Sequence, residues 1–227
     1  MSDPKAPRIA LIHALEESVA PIRAAFAQHW PEARTADLLD ASLSADLAEA
    51  GRLDSAMTQR FLTLGRYAAR GTGTHDTKAI LFTCSAFGPA IEAVKDDQSL
   101  PVMRPNEAAF AEALAIGPRI ALVVTFAPSL PALTQELQDM AAARGQSIQI
   151  TPVLAQGALD ALKAGDGDGH DTAVLDACAK IGPQDVVLLG QFSLARAASR
   201  LRPQLNCPVI TTPDSAVLAL RRLLALS

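Results

Sequence analysis

The sequence predicts an α/β protein of two pseudo-symmetric lobes, each a mainly parallel sheet flanked by helices. Three observations carry this expectation. Ala79-Ile80-Leu81-Phe82-Thr83 is an uncharged, β-prone run that reads as a strand buried on both faces, and Gly88-Pro89 just beyond it opens a helix. Pro118-Arg119-Ile120-Ala121-Leu122-Val123 repeats Pro7-Arg8-Ile9-Ala10-Leu11-Ile12, an offset of 111 (from 7 to 118), and differs only in the last residue. At an offset of 107, Leu81-Phe82-Thr83-Cys84 falls on Leu188-Leu189-Gly190-Gln191 and Pro101-Val102 on Pro208-Val209. Self-similarity of this kind points to a duplicated supersecondary unit.

Taken in order, the polar, proline-rich Met1 to Arg8 reads as a loose arm, and Ile9–Ile12 as a buried strand ending at His13. A helix follows from Ser18 to Gln28, with Ile22, Ala25 and Phe26 on one face. Ala33–Leu39 has the mixed polarity of a strand near the sheet edge. Asp54 caps a helix carrying Met57, Phe61, Leu64 and Ala68 at helical spacing, which Gly71 can end in the left-handed conformation. The polar loop Thr72–Thr77 leads to the central strand, and after its helix Leu100–Met103 is a short extended piece. A helix from Pro105 to Leu114 is stopped by Gly117-Pro118.

The second half repeats the scheme. After the Pro118–Val123 strand come a helix Leu130–Arg144, a strand Ser147–Pro152, helices Gln156–Lys163 and Thr172–Ile181, and a strand Asp185–Leu189. A strand Pro208–Thr211 precedes the last helix, announced by Thr212-Pro213-Asp214, a cap, a first-turn proline and an acid. The expected lobes are 1–103 with 212–227 and 104–211, with an active-site cleft between them.

Composition limits the function. Of the 227 residues 49% are hydrophobic and 4% aromatic, so the core is built from Ala, Leu, Val and Ile, enough for one large domain or two small lobes. A net charge of -4 without a basic cluster argues against a nucleic-acid partner. The start has neither a signal peptide nor a membrane span, so a cytoplasmic protein with no membrane partner is expected. Three cysteines without paired spacing fit reduced thiols rather than a disulfide framework or a zinc site.

The chemistry is expected at Cys84. It falls in the turn after the central strand, at the carboxyl end of a parallel sheet, where such folds bind ligands, and beside a helix amino end that favours a thiolate. Cys178 shares a helical face with Val174, Leu175 and Ile181 and reads as core; Cys207, at the amino end of its strand, reads as structural. Gln191, equivalent to Cys84 by the repeat, is expected to face it across the cleft as an amide donor to a carboxylate or oxyanion. Thr83, Ser85 and Thr125, with Thr211 and Thr212, lie on the same edge and suit a carboxylate, although hydroxyls there also cap helices. His13 ends the first strand, where an imidazole could act as an acid or orient a substrate. Asp166-Gly167-Asp168-Gly169-His170-Asp171 lacks the glycine and glutamate of a calcium loop and reads as a flexible, solvated linker. No metal site, nucleotide fingerprint or phosphate loop is indicated.

With these residues in place, the chain resembles the aspartate/glutamate racemase superfamily, which includes hydantoin racemases, maleate isomerases and arylmalonate decarboxylases. The resemblance spans nearly the whole chain: the duplicated α/β scheme, Thr83-Cys84-Ser85 after the third strand, the matching Gly190 turn and the terminal helix. It implies cofactor-independent chemistry at the carbon beside a carboxylate of a small acid or amino acid, and a homodimer as in many relatives. In the family's racemases one cysteine from each lobe works on opposite faces of the substrate. Here the first matches as Cys84, but the second position is Gln191, and a carboxamide neither takes nor gives a proton near neutrality. The expectations are therefore an isomerase with Cys84 as acid, base or nucleophile, a decarboxylase of malonate-like acids, or a binder of carboxylates without turnover.

Overall fold

The apolar runs expected as strands are strands in the computed structural model, which describes residues 6–71 and 76–225, and every strand pairing is parallel. The expected arm through Lys5 and Thr72–His75 of the polar loop lie outside the described residues. In order come β1 (Arg8–His13), α1 (Val19–His29), β2 (Arg34–Leu39), α2 (Ser42–Ala50), α3 (Ser55–Ala69), β3 (Thr77–Phe82), α4 (Gly88–Asp97), β4 (Val102–Met103) and α5 (Glu107–Ile116). Then follow β5 (Arg119–Val124), α6 (Ser129–Ala143), β6 (Gln149–Leu154), α7 (Ala158–Lys163), α8 (Gly167–Cys178), β7 (Val186–Leu189), α9 (Ala198–Leu201), β8 (Val209–Thr211) and α10 (Thr212–Ala225). Tight 3-10 turns, among them Glu16–Ser18, Ser85–Phe87 and Phe192–Ala197, join several of these.

The chain forms two units, one running through Pro105 and resuming at Val217, the other Asn106–Ala216. The return falls inside α10 rather than at the expected 212, because one continuous helix serves the second unit with its first turn and the first unit with the rest.

Each unit holds one four-stranded sheet, in the order β2-β1-β3-β4 in the first and β6-β5-β7-β8 in the second. Their registers correspond. Ala10 pairs with Ile80 as Ala121 pairs with Val187, and Ile80 pairs with Val102 as Val187 pairs with Val209, the offsets of 111 and 107 read from the sequence. The inner strands β1, β3, β5 and β7 are buried almost throughout, as continuous apolar runs require, whereas edge strand β2 is half-buried or exposed along its length.

In the first unit the core gathers around Phe61 of α3. Its ring lies 5.3 Å from that of Phe82, the last residue of β3, and 4.8 Å from that of Phe87, which closes the turn after β3. All three are buried. One aromatic cluster thus grips both ends of the segment that carries Cys84.

Four local expectations are corrected. Residues 42–50, left unassigned by the sequence, form α2, whose only buried residue is Leu43 and which ends on the left-handed Gly51, φ 65°. Helix α3 closes on Arg70 in the extended region, so a left-handed Gly71 is not what ends it. The run Asp166–Asp171 is no linker: Asp166 caps α8 by accepting from the Gly169 amide at 2.8 Å, and His170 and Asp171 are buried, Asp171 paired with Arg196. The cap of α10 is Thr211, whose hydroxyl accepts from the Asp214 amide at 3.3 Å, while the Thr212 hydroxyl is buried without a hydrogen-bond partner.

Candidate functional site

In each unit the expected site residues sit where strands end, at inner strands for all but Thr211 and Thr212, which stand at the end of edge strand β8. In the first, β3 delivers Thr83 and then Cys84, which opens the 3-10 turn Ser85–Phe87 with an extended backbone, φ -118° and ψ 123°. The helix proper begins only at Gly88. Part of Cys84 reaches solvent, and the rest packs against the cluster that includes Ala14, Leu43 and Phe82. Burial pushes the Cys84 thiol up, against hydrogen bonds from the Ala86 amide and the Ser44 hydroxyl that draw it down. The expected thiolate is therefore corrected to a neutral thiol. The single hydroxyl proton of Ser44, on α2, is shared between this sulfur and the Ala14 carbonyl, 2.8 Å from the Ser44 oxygen, tying its helix to the end of β1. Ser85 is half-buried at the head of the turn.

Alternation along the strands sends Thr83 to the face opposite Cys84, where it meets His13. His13 is fully buried. Its Nε2 lies 3.0 Å from Asp37 Oδ1, and its Nδ1 lies 2.9 Å from Thr83 Oγ1 and 3.2 Å from Ser18 Oγ. The Ser18 and Thr83 oxygens are 2.9 Å apart. Arg23 of α1 grips Asp37 from outside through two nitrogens, at 2.8 and 3.2 Å. Burial lowers the His13 pKa, more than the bond and charge of Asp37 raise it, so the imidazole rests neutral.

In the second unit, β7 ends at Leu189 and Gln191 opens its 3-10 turn with the same extended backbone as Cys84, φ -137° and ψ 146°. The repeat therefore places thiol and carboxamide at equivalent points of equivalent turns. Between strand and turn stands Gly190, where a Cβ would come within 2.9 Å of Leu122 Cδ1 and 3.1 Å of the Val123 carbonyl oxygen. The Gln191 carboxamide is engaged. Its Oε1 accepts from the Thr125 amide at 2.7 Å and the Thr125 hydroxyl at 2.8 Å, and its Nε2 meets Ser129 Oγ at 3.3 Å. A backbone N–H can only donate, which fixes the orientation of the amide and leaves one N–H outside these bonds. Asn106, buried at the head of α5, donates to the Gly190 carbonyl at 2.8 Å and braces the turn. Thr211 and Thr212 sit buried at the junction of β8 and α10.

The structure thus joins His13 with Thr83 and Thr125 with Gln191, each pair within its unit. Sequence reasoning missed Ser18, Asp37, Ser44, Asn106 and Ser129. Only Asp37 left a signal, a carboxylate inside a strand otherwise free of acids. Cys178 is buried among apolar side chains with its thiol pushed up to about 11, and Cys207 packs against the same cluster. Among the described residues no group of three or more His, Cys, Asp or Glu side chains could hold a metal ion, and no helix is long and apolar enough to cross a membrane. A groove along β6 and α8, lined by Thr151, Val153, Gln156 and Ala177 among others, contains none of the site residues.

The family model for Asp/Glu/Hydantoin racemases matches residues 9–220. The chain belongs to this family. No curated protein matches it in sequence. Among solved structures, this racemase-family protein is similar to Picrophilus torridus aspartate racemase, with a TM-score of 0.73 at 12% identity over 97% of this chain and 95% of that one. It is similar also to a glutamate racemase of Bacillus anthracis, with a TM-score of 0.69 at 12% identity over 99% of this chain and 83% of that one. A sulfate-associated mutant of arylmalonate decarboxylase gives a TM-score of 0.68 at 16% identity over 96% and 94%. At such identities the likeness is one of fold, and the two-lobed racemase architecture is the fold this family member shares.

Proposed function

We propose that the protein is a cofactor-independent enzyme acting at the carbon next to a carboxylate of a small acid or amino acid, with Cys84 as the group that carries the proton. The observation behind this reading is the position of Cys84: at the carboxyl end of an inner parallel strand, in a residue only partly buried, on a turn gripped at both ends by Phe61. A sulfur held neutral by burial is a better proton donor than a resting base. To act as base it must be ionised first, by binding or by a group of the substrate.

A second reading, a decarboxylase, is favoured by one further feature. The residue equivalent to Cys84 is a carboxamide already committed to Thr125 and Ser129. A single thiol suffices when carbon dioxide leaves and the carbanion left behind takes a proton from sulfur. Racemisation asks more, because removing a proton beside an ionised carboxylate meets a high barrier and one general base contributes about 100- to 10,000-fold.

Incubating the protein in deuterium oxide with amino acids, hydantoins, maleate and substituted malonates separates the readings. Deuterium at the α-carbon with loss of handedness marks a racemase, and a deuterated acid with one carboxyl fewer marks a decarboxylase. Either activity is expected to vanish in Cys84→Ala; activity that survives this change rules out the role given to the thiol. Calorimetric binding of members of the panel with no turnover would instead favour a carboxylate-binding protein.

A further inference from the structure

The His13 side chain lies within hydrogen-bond distance of three residues remote from one another in the chain, Asp37 of β2, Ser18 of the 3-10 turn Glu16–Ser18 and Thr83 just after β3. With Nε2 facing a carboxylate, the neutral ring keeps its proton on that nitrogen, and Nδ1 becomes an acceptor. The Thr83 hydroxyl, 2.9 Å away, must then be the donor. The Ser18 hydroxyl donates to the Leu15 carbonyl at 2.7 Å, so every proton in the cluster has a place. The charged side chains acting on the ring are Asp37 of β2 and Arg23 of α1; Thr83 gives it a hydroxyl, and Ser18 brings an oxygen within 3.2 Å.

We propose that His13 is a positioning residue whose bare Nδ1 holds the Thr83 hydroxyl and so fixes the end of β3 from which the Cys84 turn departs. A proton added at Nδ1 turns acceptor into donor. The Thr83 hydroxyl must then donate elsewhere, to the Ser18 oxygen 2.9 Å away or the Ile12 carbonyl 3.4 Å away, which releases its hold on the ring and rearranges the bonds at the strand end next to Cys84. The importance of this for catalysis rests on the reading of Cys84 given above. The test does not, because it measures the imidazole and the thiol without turnover.

Nitrogen-15 spectra of the wild-type imidazole above neutral pH should show the proton on Nε2 of His13 and a bare Nδ1. In parallel, alkylation of Cys84 by iodoacetamide, followed by peptide mass spectrometry, is compared between two variants. His13→Asn puts an acceptor oxygen where Nδ1 was; His13→Gln puts a donor nitrogen where Nε2 was. The Asn variant should keep close to the wild-type rate, and the Gln variant should react about fivefold faster, the scale of one lost hydrogen bond, as the sulfur becomes better solvated. Should neither fold, Thr83→Ser is expected to match wild type and Thr83→Val to show the faster rate. A proton found on Nδ1, or equal rates within the variant pair that folds, overturns the proposal.

Discussion

Thr125 gives both its donors to one atom of Gln191: the amide N–H at 2.7 Å and the hydroxyl at 2.8 Å converge on Oε1. This bond pair fastens the end of β5 to the turn after β7, at the point of the second unit that corresponds to Cys84 in the first. Gln191→Ala should therefore lower stability by about 1–3 kcal/mol, the cost of stranding a buried amide donor, whereas Gln191→Glu, which keeps an acceptor oxygen, should lose less. Urea unfolding of the two variants beside wild type measures the difference, and equal losses would show that the acceptor is not what matters.

The neutral thiol has a measurable signature. The rate of Cys84 alkylation against pH should have its midpoint above the ordinary 9.0, since burial raises the thiol. Ser44→Ala removes a bond that draws it down and should move the midpoint higher still. A midpoint below 9.0 would restore the thiolate expected from the sequence.

His13 predicts how stability follows pH. Its folded pKa lies below the ordinary 6.5, so between those two values the unfolded chain binds more protons than the folded one. Stability from this residue is complete above 6.5 and is lost as pH falls through 6.5 toward the lower value, by at most about 1.4 kcal/mol per pH unit for one proton. Denaturant midpoints measured across this window should fall toward acid in wild type and fall less in His13→Asn.

Phe61 offers a test at a distance from the sulfur. Truncating a buried phenyl to Ala costs about 3–5 kcal/mol, and here it also frees both Phe82 and Phe87. Phe61→Leu, a milder change, should leave the protein folded while quickening Cys84 alkylation; an unchanged rate would mean that the aromatic cluster does not hold the turn.

Much of this architecture could be read before the structure was seen, for a physical reason. Strands buried on both faces must be apolar throughout, so Arg8–His13, Thr77–Phe82 and Val186–Leu189 announce themselves, and the repeat around Pro7 and Pro118 shows that the scheme is used twice. What escaped depends on partners distant in the chain. Helix α2 buries a single leucine, too little for a periodic signal. The glycines and aspartates of 166–171 look like a linker until Arg196, remote in sequence, is seen to pair with Asp171. At the site, Cys84 and Gln191 were visible from the repeat, but the bonds that commit Gln191 to Thr125, and His13 to Asp37, link residues whose closeness only the folded sheet creates.

Because the two sheets share strand order and pairing register, the molecule carries its own control experiment. A substitution at Ile80 has a counterpart at Val187, and one at Cys84 has a counterpart at Gln191, each made on the same ladder of backbone bonds with only the side chains different. Effects common to both members of such a pair belong to the shared scaffold; effects confined to one half belong to its chemistry.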